Sequence, residues 1–242
     1  MSTRSDFDIS AYFVVGPENT KGRPVAQIIK AVVEVGYTCI QIRSKTASAR
    51  ELIELTAKAA DIIAESGRAT EVTLLVDDRL DVVLAARKQK IKVDGIHVGQ
   101  TDMPVEVCRE YLGEDSIIGL STRTHDLFDY IQTADISLVD YFGVGPLHET
   151  RTKLDCGLGD DGKVLTRSFD EIAQLVKVSP IPLVVGGGVK LADIPQLARI
   201  GVGGFFVVSA ISEADDPKAE ALKLIEAWRT NYRPPFVKEA NQ

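Results

Sequence analysis

Short runs of apolar and β-branched residues alternate along the chain with longer stretches in which apolar residues return every third or fourth position. The short runs are AYFVV (11–15), CIQIR (39–43), TLLVDD (73–78), GIHVG (95–99), SIIGLS (116–121), LVDYFGVG (138–145), IPLVVGG (181–187) and GGFFVVSA (203–210). Between two of them, residues 49–66 place Leu52, Ile53, Leu55, Ala59, Ile62 and Ile63 on one helical face. A last helix is predicted over roughly 216–230, with Ala221, Leu224, Ile225 and Trp228 spaced in the same way.

Eight strand-then-helix units whose strands are apolar on both faces predict a parallel sheet covered by helices. Eight units also close a (β/α)8 TIM barrel, and 242 residues is an ordinary length for one. A doubly wound open sheet would carry a GxGxxG turn after its first strand, and VVGPENTKG has none. The expectation is therefore α/β, a single-domain barrel over 10–230, with an N-terminal extension (1–9) and a C-terminal tail or linker (231–242).

Composition narrows the partners. Hydrophobic residues make up 45%, enough for a sizeable core, and the net charge of −7 leaves no general footprint for nucleic acid. Any anionic ligand must be met by a local group of cations. Cys39, Cys108 and Cys156 lie far apart without CxxC spacing, which reads as unpaired thiols in a reducing compartment and argues against zinc. The opening MSTRSDFDIS has no apolar core of a signal peptide, and no run is long enough to span a membrane. The expected setting is cytoplasmic.

In a barrel the chemistry sits at the C-terminal strand ends. QIRSK alternates Gln41, Arg43 and Lys45 to one side, where two cations can clamp a phosphate. Strand three ends in Asp77, Asp78 and Arg79, and Asp102 follows strand four. Two carboxylates from neighbouring strand ends, without a His or Cys pair, suit Mg²⁺. Taken singly, Asp78 and Asp102 read more simply as helix caps. GLSTRT offers Ser121, and the loop after strand six offers Thr150, Thr152 and Lys153. Gly186, Gly187 and Gly188 after strand seven, with Val208 and Ser209 after strand eight, match the place where barrels bind a phosphomonoester through backbone N–H groups. Two phosphorylated ligands would then face each other across one mouth, as in a transferase that expels diphosphate.

These residues carry a resemblance. QIRSK, VDDRLD, DGIHVGQTD, GLSTRT, GPLHETRTK, VGGGV and VVSAI occur in the order, and at the strand ends, of the motifs of the thiamine phosphate synthase family, over roughly residues 10 to 215. The resemblance implies a Mg²⁺-dependent (β/α)8 transferase. Such an enzyme joins hydroxymethylpyrimidine diphosphate to hydroxyethylthiazole phosphate after the diphosphate has left. It implies Asp78 and Asp102 as metal ligands, with Arg43, Lys45, Ser121 and Lys153 holding the diphosphate and Gln41 on the pyrimidine side. Thr150, Thr152, Gly188 and Ser209 would form the thiazole phosphate site, and Asp77 and Val208 are counted with the substrate-binding residues.

Three departures stand out: Asp77 where the family pattern has Asn, Arg123 where it has His, and VVGP at the end of strand one. A thiazole tautomerase, the first rival, would need that missing His and would lack the diphosphate-binding cations. A non-catalytic phosphate sensor, the second, is hard to reconcile with the full set of acids and cations. The small-molecule substrates are the expected partners. Self-association, and fusion through the tail to another thiamine-pathway domain, are left open. His97 is read as packed and hydrogen-bonded within strand four, and Trp228 as helix packing.

Overall fold

The computed structural model describes residues 4–121, 127–150 and 165–232. Its strands are β1 (Ala11–Val15), β2 (Cys39–Ile42), β3 (Thr73–Asp77), β4 (Gly95–Val98), β5 (Ile117–Ser121), β6 (Tyr141–Val144), β7 (Leu183–Val185) and β8 (Gly204–Val207). All neighbours pair in parallel, and β1 closes on β8 through the register Tyr12 opposite Phe206. The helices are α1 (Val25–Val35), α2 (Ala49–Glu65), α3 (Leu80–Lys88), α4 (Val105–Leu112), α5 (Leu127–Thr133), α6 (Phe169–Val178), α7 (Ile194–Ile200), α8 (Ser209–Ser212) and α9 (Pro217–Asn231). The expected barrel is the observed one.

Helix starts follow local chemistry. Ser48 and Glu51 cap α2 reciprocally, with Ser48 N donating to Glu51 Oε2 at 2.8 Å, and Ser168 with Glu171 do the same for α6. Asp216 caps α9, and Pro217 takes its first position. Gly36 ends α1 with φ +104°, a conformation that costs a residue with a Cβ far more.

Two apolar layers result. One fills the space between strands and helices, from Phe13, Ile40 and Leu74 to Trp228. Trp228 lies against Phe205 with ring centroids 5.5 Å apart, the packing role expected of it. The other lies inside the barrel and is small: Tyr12, Val14, Cys39, Leu75, Ile117, Tyr141 and Val184 among its members. At the opening of β6, Asp140 accepts from Ile118 N at 2.6 Å, from Arg109 Nη2 at 2.9 Å and from Arg4 Nε at 2.5 Å. That buried carboxylate ties the N-terminal segment and α4 to the floor of the barrel.

Several strands are shorter than the pattern predicted. The run 138–145 yields only Tyr141–Val144, because Ile136–Leu138 forms a 3-10 turn capped by Asp135. The run 181–187 yields Leu183–Val185: Pro182 has no N–H for the ladder, and Gly187 and Gly188 turn away at φ +77° and +75°. The run 203–210 stops at Val207, because Ser209 already begins α8. The residues lost lie mainly at the start of the run for β6, at both ends for β7 and mainly at the rim for β8.

Candidate active site

A cavity of about 440 Å³ opens at the C-terminal ends of the strands. Of the expected site residues, Gln41, Arg43, Lys45, Asp77, Asp78, Asp102, Ser121, Gly188, Val208 and Ser209 all line it. Thr150 ends the described segment after β6 and is not among the lining residues, while Thr152 and Lys153 lie outside the described residues, as does Arg123.

One side of the mouth is charged. Arg43 Nε lies 3.0 Å from Asp77 Oδ2, and Lys45 Nζ lies 2.5 Å from Asp78 Oδ2. Asp78 takes φ +61°, a left-handed conformation that a short polar side chain tolerates best, and its N–H donates to His97 O at 2.8 Å. The side chains of Asp78 and Asp102 hydrogen-bond each other. Burial, then the neighbouring Asp78, holds the Asp102 carboxyl above the usual range. Burial pushes Asp78 the same way, but hydrogen bonds from Lys45 and Asp102 outweigh it and bring Asp78 below that range. The opposite shifts follow from contact: one negative carboxylate disfavours ionisation of its neighbour.

Neither acid caps a helix, which corrects the simpler reading. Arg79, not Asp78, precedes α3, and Pro104 precedes α4. Asp102 Oδ2 instead accepts from Gly99 N at 2.9 Å, closing the turn after β4. Both carboxyl groups are thereby turned toward the mouth.

The opposite side is nearly uncharged. Gly186 lies against Phe206, so close that a Cβ there would come within 2.2 Å of the ring. Gly187 and Gly188 follow in left-handed conformation, and α8 starts beside them at Ser209. Leu147 N and His148 N donate to Gly187 O at 3.0 Å, fixing the turn to the loop after β6.

Sequence reasoning missed four participants. Tyr12 and Tyr141 are apolar-run residues that point into the barrel, where Tyr12 Oη bonds Gln41 Oε1 at 2.5 Å and Tyr141 Oη at 2.9 Å. Phe206 lies in the mouth as an apolar platform, and Lys190 adds a cation beside the glycine turn. Only the alternation in AYFVV, LVDYFGVG and GGFFVV carried a signal for the aromatic residues, since it points every second side chain inward. His97 is buried and bonded at both ring nitrogens, as expected: Nδ1 to Tyr141 Oη and Nε2 to Ser121 Oγ, each at 2.8 Å.

A closed parallel barrel with its polar residues gathered at the C-terminal mouth defines an enzyme of the (β/α)8 class. A sequence model described as thiamine monophosphate synthase matches residues 11–211. The thiamine-phosphate synthase of Corynebacterium efficiens is 37% identical over 224 residues, covering 91% of this chain and 95% of that protein. That of Natronomonas pharaonis is 34% identical over 220 residues, covering 91% and 95%. The solved thiamine phosphate pyrophosphorylase from Pyrococcus furiosus superimposes with a TM-score of 0.73 at 26% identity, covering 92% of this chain and 96% of that one. The chain belongs to the thiamine monophosphate synthase family.

Proposed function

We propose that the chain couples hydroxymethylpyrimidine diphosphate to hydroxyethylthiazole phosphate, releasing diphosphate and thiamine phosphate. The observation that carries this reading is the division of one cavity. An acid and cation corner on β2, β3 and β4 faces a glycine turn and a short helix start on β7 and β8. Each half suits one phosphorylated ligand, and the shared space brings their reacting ends together.

Charge decides how the diphosphate is held. The described lining offers three cations, Arg43, Lys45 and Lys190, against three carboxyl groups, Asp77, Asp78 and Asp102. Their formal charges cancel, so these residues alone offer a diphosphate little net attraction. The Asp78–Asp102 pair fits Mg²⁺: two carboxyl groups stand side by side at the mouth, an all-oxygen donor set that a divalent cation would bridge while keeping room for water and phosphate ligands. When bound there, Mg²⁺ would supply the positive charge that stabilises the leaving diphosphate.

The chain's own residues do the rest. Asp77 and Asp78 hold Arg43 and Lys45 extended toward the mouth, where both can donate to the departing diphosphate oxygens. The carbon–oxygen bond breaks with its electron pair going to diphosphate, and the thiazole nitrogen lone pair forms the new carbon–nitrogen bond. No proton has to move, so the step calls for no general base. Phe206 and Val184 keep water off the electron-poor pyrimidine carbon. Backbone N–H groups of the glycine turn, with Val208 and Ser209, hold the thiazole phosphate so that its nitrogen faces that carbon. The family resemblance assigns Lys153 to the diphosphate and Thr150 and Thr152 to the thiazole phosphate.

The test is a coupling assay with both substrates and Mg²⁺, thiamine phosphate being read as fluorescent thiochrome. Product that disappears with EDTA supports the reading. Folded protein that binds the thiazole phosphate yet forms no product excludes it.

A further inference from the structure

A chain of hydrogen bonds crosses the barrel beneath the mouth, from Arg43 through Asp77, Gln41, Tyr12, Tyr141 and His97 to Ser121. It joins residues of β1, β2, β3, β4, β5 and β6, and the barrel is built around it. A Cβ on Gly119 would overlap the Tyr141 ring and crowd His97 Nδ1, and one on Gly143 would lie 2.8 Å from Ser121 Oγ. Gly119 pairs with both His97 and Tyr141 in register, so its missing side chain is the space their contact occupies.

The direction of this chain follows from its first members. Asp77, a carboxylate paired with a guanidinium, has only acceptors to offer. Gln41 must therefore turn its Nε2 to Asp77 Oδ1, leaving Oε1 to accept from Tyr12 Oη. A phenol has one proton. With Tyr12 spent on Gln41, the 2.9 Å contact must be Tyr141 donating to Tyr12. Tyr141 is then spent in turn, so at its contact with His97 the ring nitrogen Nδ1 must be the donor. Burial raises both phenols well above their ordinary value, so neither gives up its proton.

We propose that Asp77 fixes the tautomer of His97 through this chain, and with it the hydrogen-bonding sense of Ser121. With the proton on Nδ1, the neutral ring presents a bare Nε2, and Ser121 Oγ donates to it. The serine oxygen then turns lone pairs toward the cavity. It accepts from a ligand N–H or a bound water and does not donate to a phosphoryl oxygen. His97, Tyr141, Tyr12 and Gln41 are positioning residues in this scheme. The chain of bonds is a property of the protein alone; only the consequence for a phosphorylated ligand rests on the function proposed above.

The same logic run with an amide reverses it. In Asp77→Asn, Arg43 would hold the amide oxygen, and the amide nitrogen would face Gln41. Gln41 would flip to meet it, each hydroxyl would turn round, and Tyr141 would donate to His97 Nδ1. The ring proton would then sit on Nε2, and the Ser121 proton would be released toward the ligand.

Long-range ¹H–¹⁵N NMR of the histidine rings, in the full chain above neutral pH, reads this directly, with His97 assigned through His97→Gln. The expected result is a His97 ring protonated on Nδ1 only in the native protein, and a shift of the proton to Nε2 in Asp77→Asn. Protonation at Nε2 in the native protein, or signals averaged between the two tautomers, would overturn the proposal. So would an Asp77→Asn protein whose ring keeps its proton on Nδ1. Should that variant not fold, the native spectrum alone decides.

Discussion

Lys45 Nζ sits 2.5 Å from Asp78 Oδ2, joining the loop after β2 to the end of β3 at the rim of the barrel. Its side chain is 47% exposed, so as an ion pair it contributes little to stability, about 0–1 kcal/mol. Its place in the cavity gives it another use. Lys45→Ala is expected to lower kcat/KM by roughly 10²–10³, the usual loss when one preorganised donor to developing charge is removed. Its urea midpoint should stay close to that of the parent. A variant that loses stability in proportion to activity would show the pair to be structural.

The carboxylate of Glu18 steadies that lysine from behind. It accepts from Lys45 N at 3.0 Å, from Thr46 Oγ1 at 2.9 Å and from Thr46 N at 3.2 Å, and from the Ser44 hydroxyl. Burial would raise its carboxyl, but the bonds from Ser44 and Thr46 prevail and lower it. A lowered carboxylate stabilises the fold above its unfolded value, about 4.3, and that contribution is lost as pH falls through the folded value. Glu18→Gln should therefore be less stable than the parent at pH 7, with the gap narrowing below about pH 4. Its KM for the diphosphate substrate should rise more than its kcat falls. A stability gap that stays constant into acid would refute the role given to Glu18.

Gly186 and Phe206 test the uncharged half. A Cβ at 186 would strike the Phe206 ring, and a ring packed in the mouth has little room to give. Gly186→Ala should cost about 1–3 kcal/mol through overpacking. It should also raise KM for the thiazole phosphate while leaving diphosphate binding almost unchanged. Equal losses for both substrates would contradict the division of the cavity into two halves.

At the other end of the barrel, Asp140 is buried among Arg109, Arg4 and the Ile118 amide. Asp140→Asn removes the charge and turns a donor toward donors. About 3–5 kcal/mol of unfolding free energy should be lost, with kcat of the surviving folded enzyme close to normal. A loss below roughly 1 kcal/mol, measured by urea unfolding, would show the network to be dispensable.

The barrel was legible because eight apolar runs separated by helical patterns leave few other ways to bury both faces of a parallel sheet. The charged corner was legible too, since QIRSK and VDDRLD place their polar residues at strand ends. What stayed hidden depends on contacts across the barrel. Nothing near Tyr12 in the chain announces Tyr141, which stands 129 positions away and meets it only when β1 and β6 face each other across the lumen. The capping reading of Asp78 and Asp102 failed for a related reason. Each carboxyl finds a stronger tertiary partner, Lys45 or its fellow acid, than the amides of its own helix start.

The most direct measurement is calorimetric titration of inorganic diphosphate into the protein, with Mg²⁺ and again with EDTA. The cancelling charges of the described lining predict clear binding with Mg²⁺, at least tenfold weaker binding in EDTA, and loss of that difference in Asp102→Ala. Diphosphate that binds equally well without metal, or in Asp102→Ala with metal, would contradict a site in which Asp78 and Asp102 present Mg²⁺ to the leaving group.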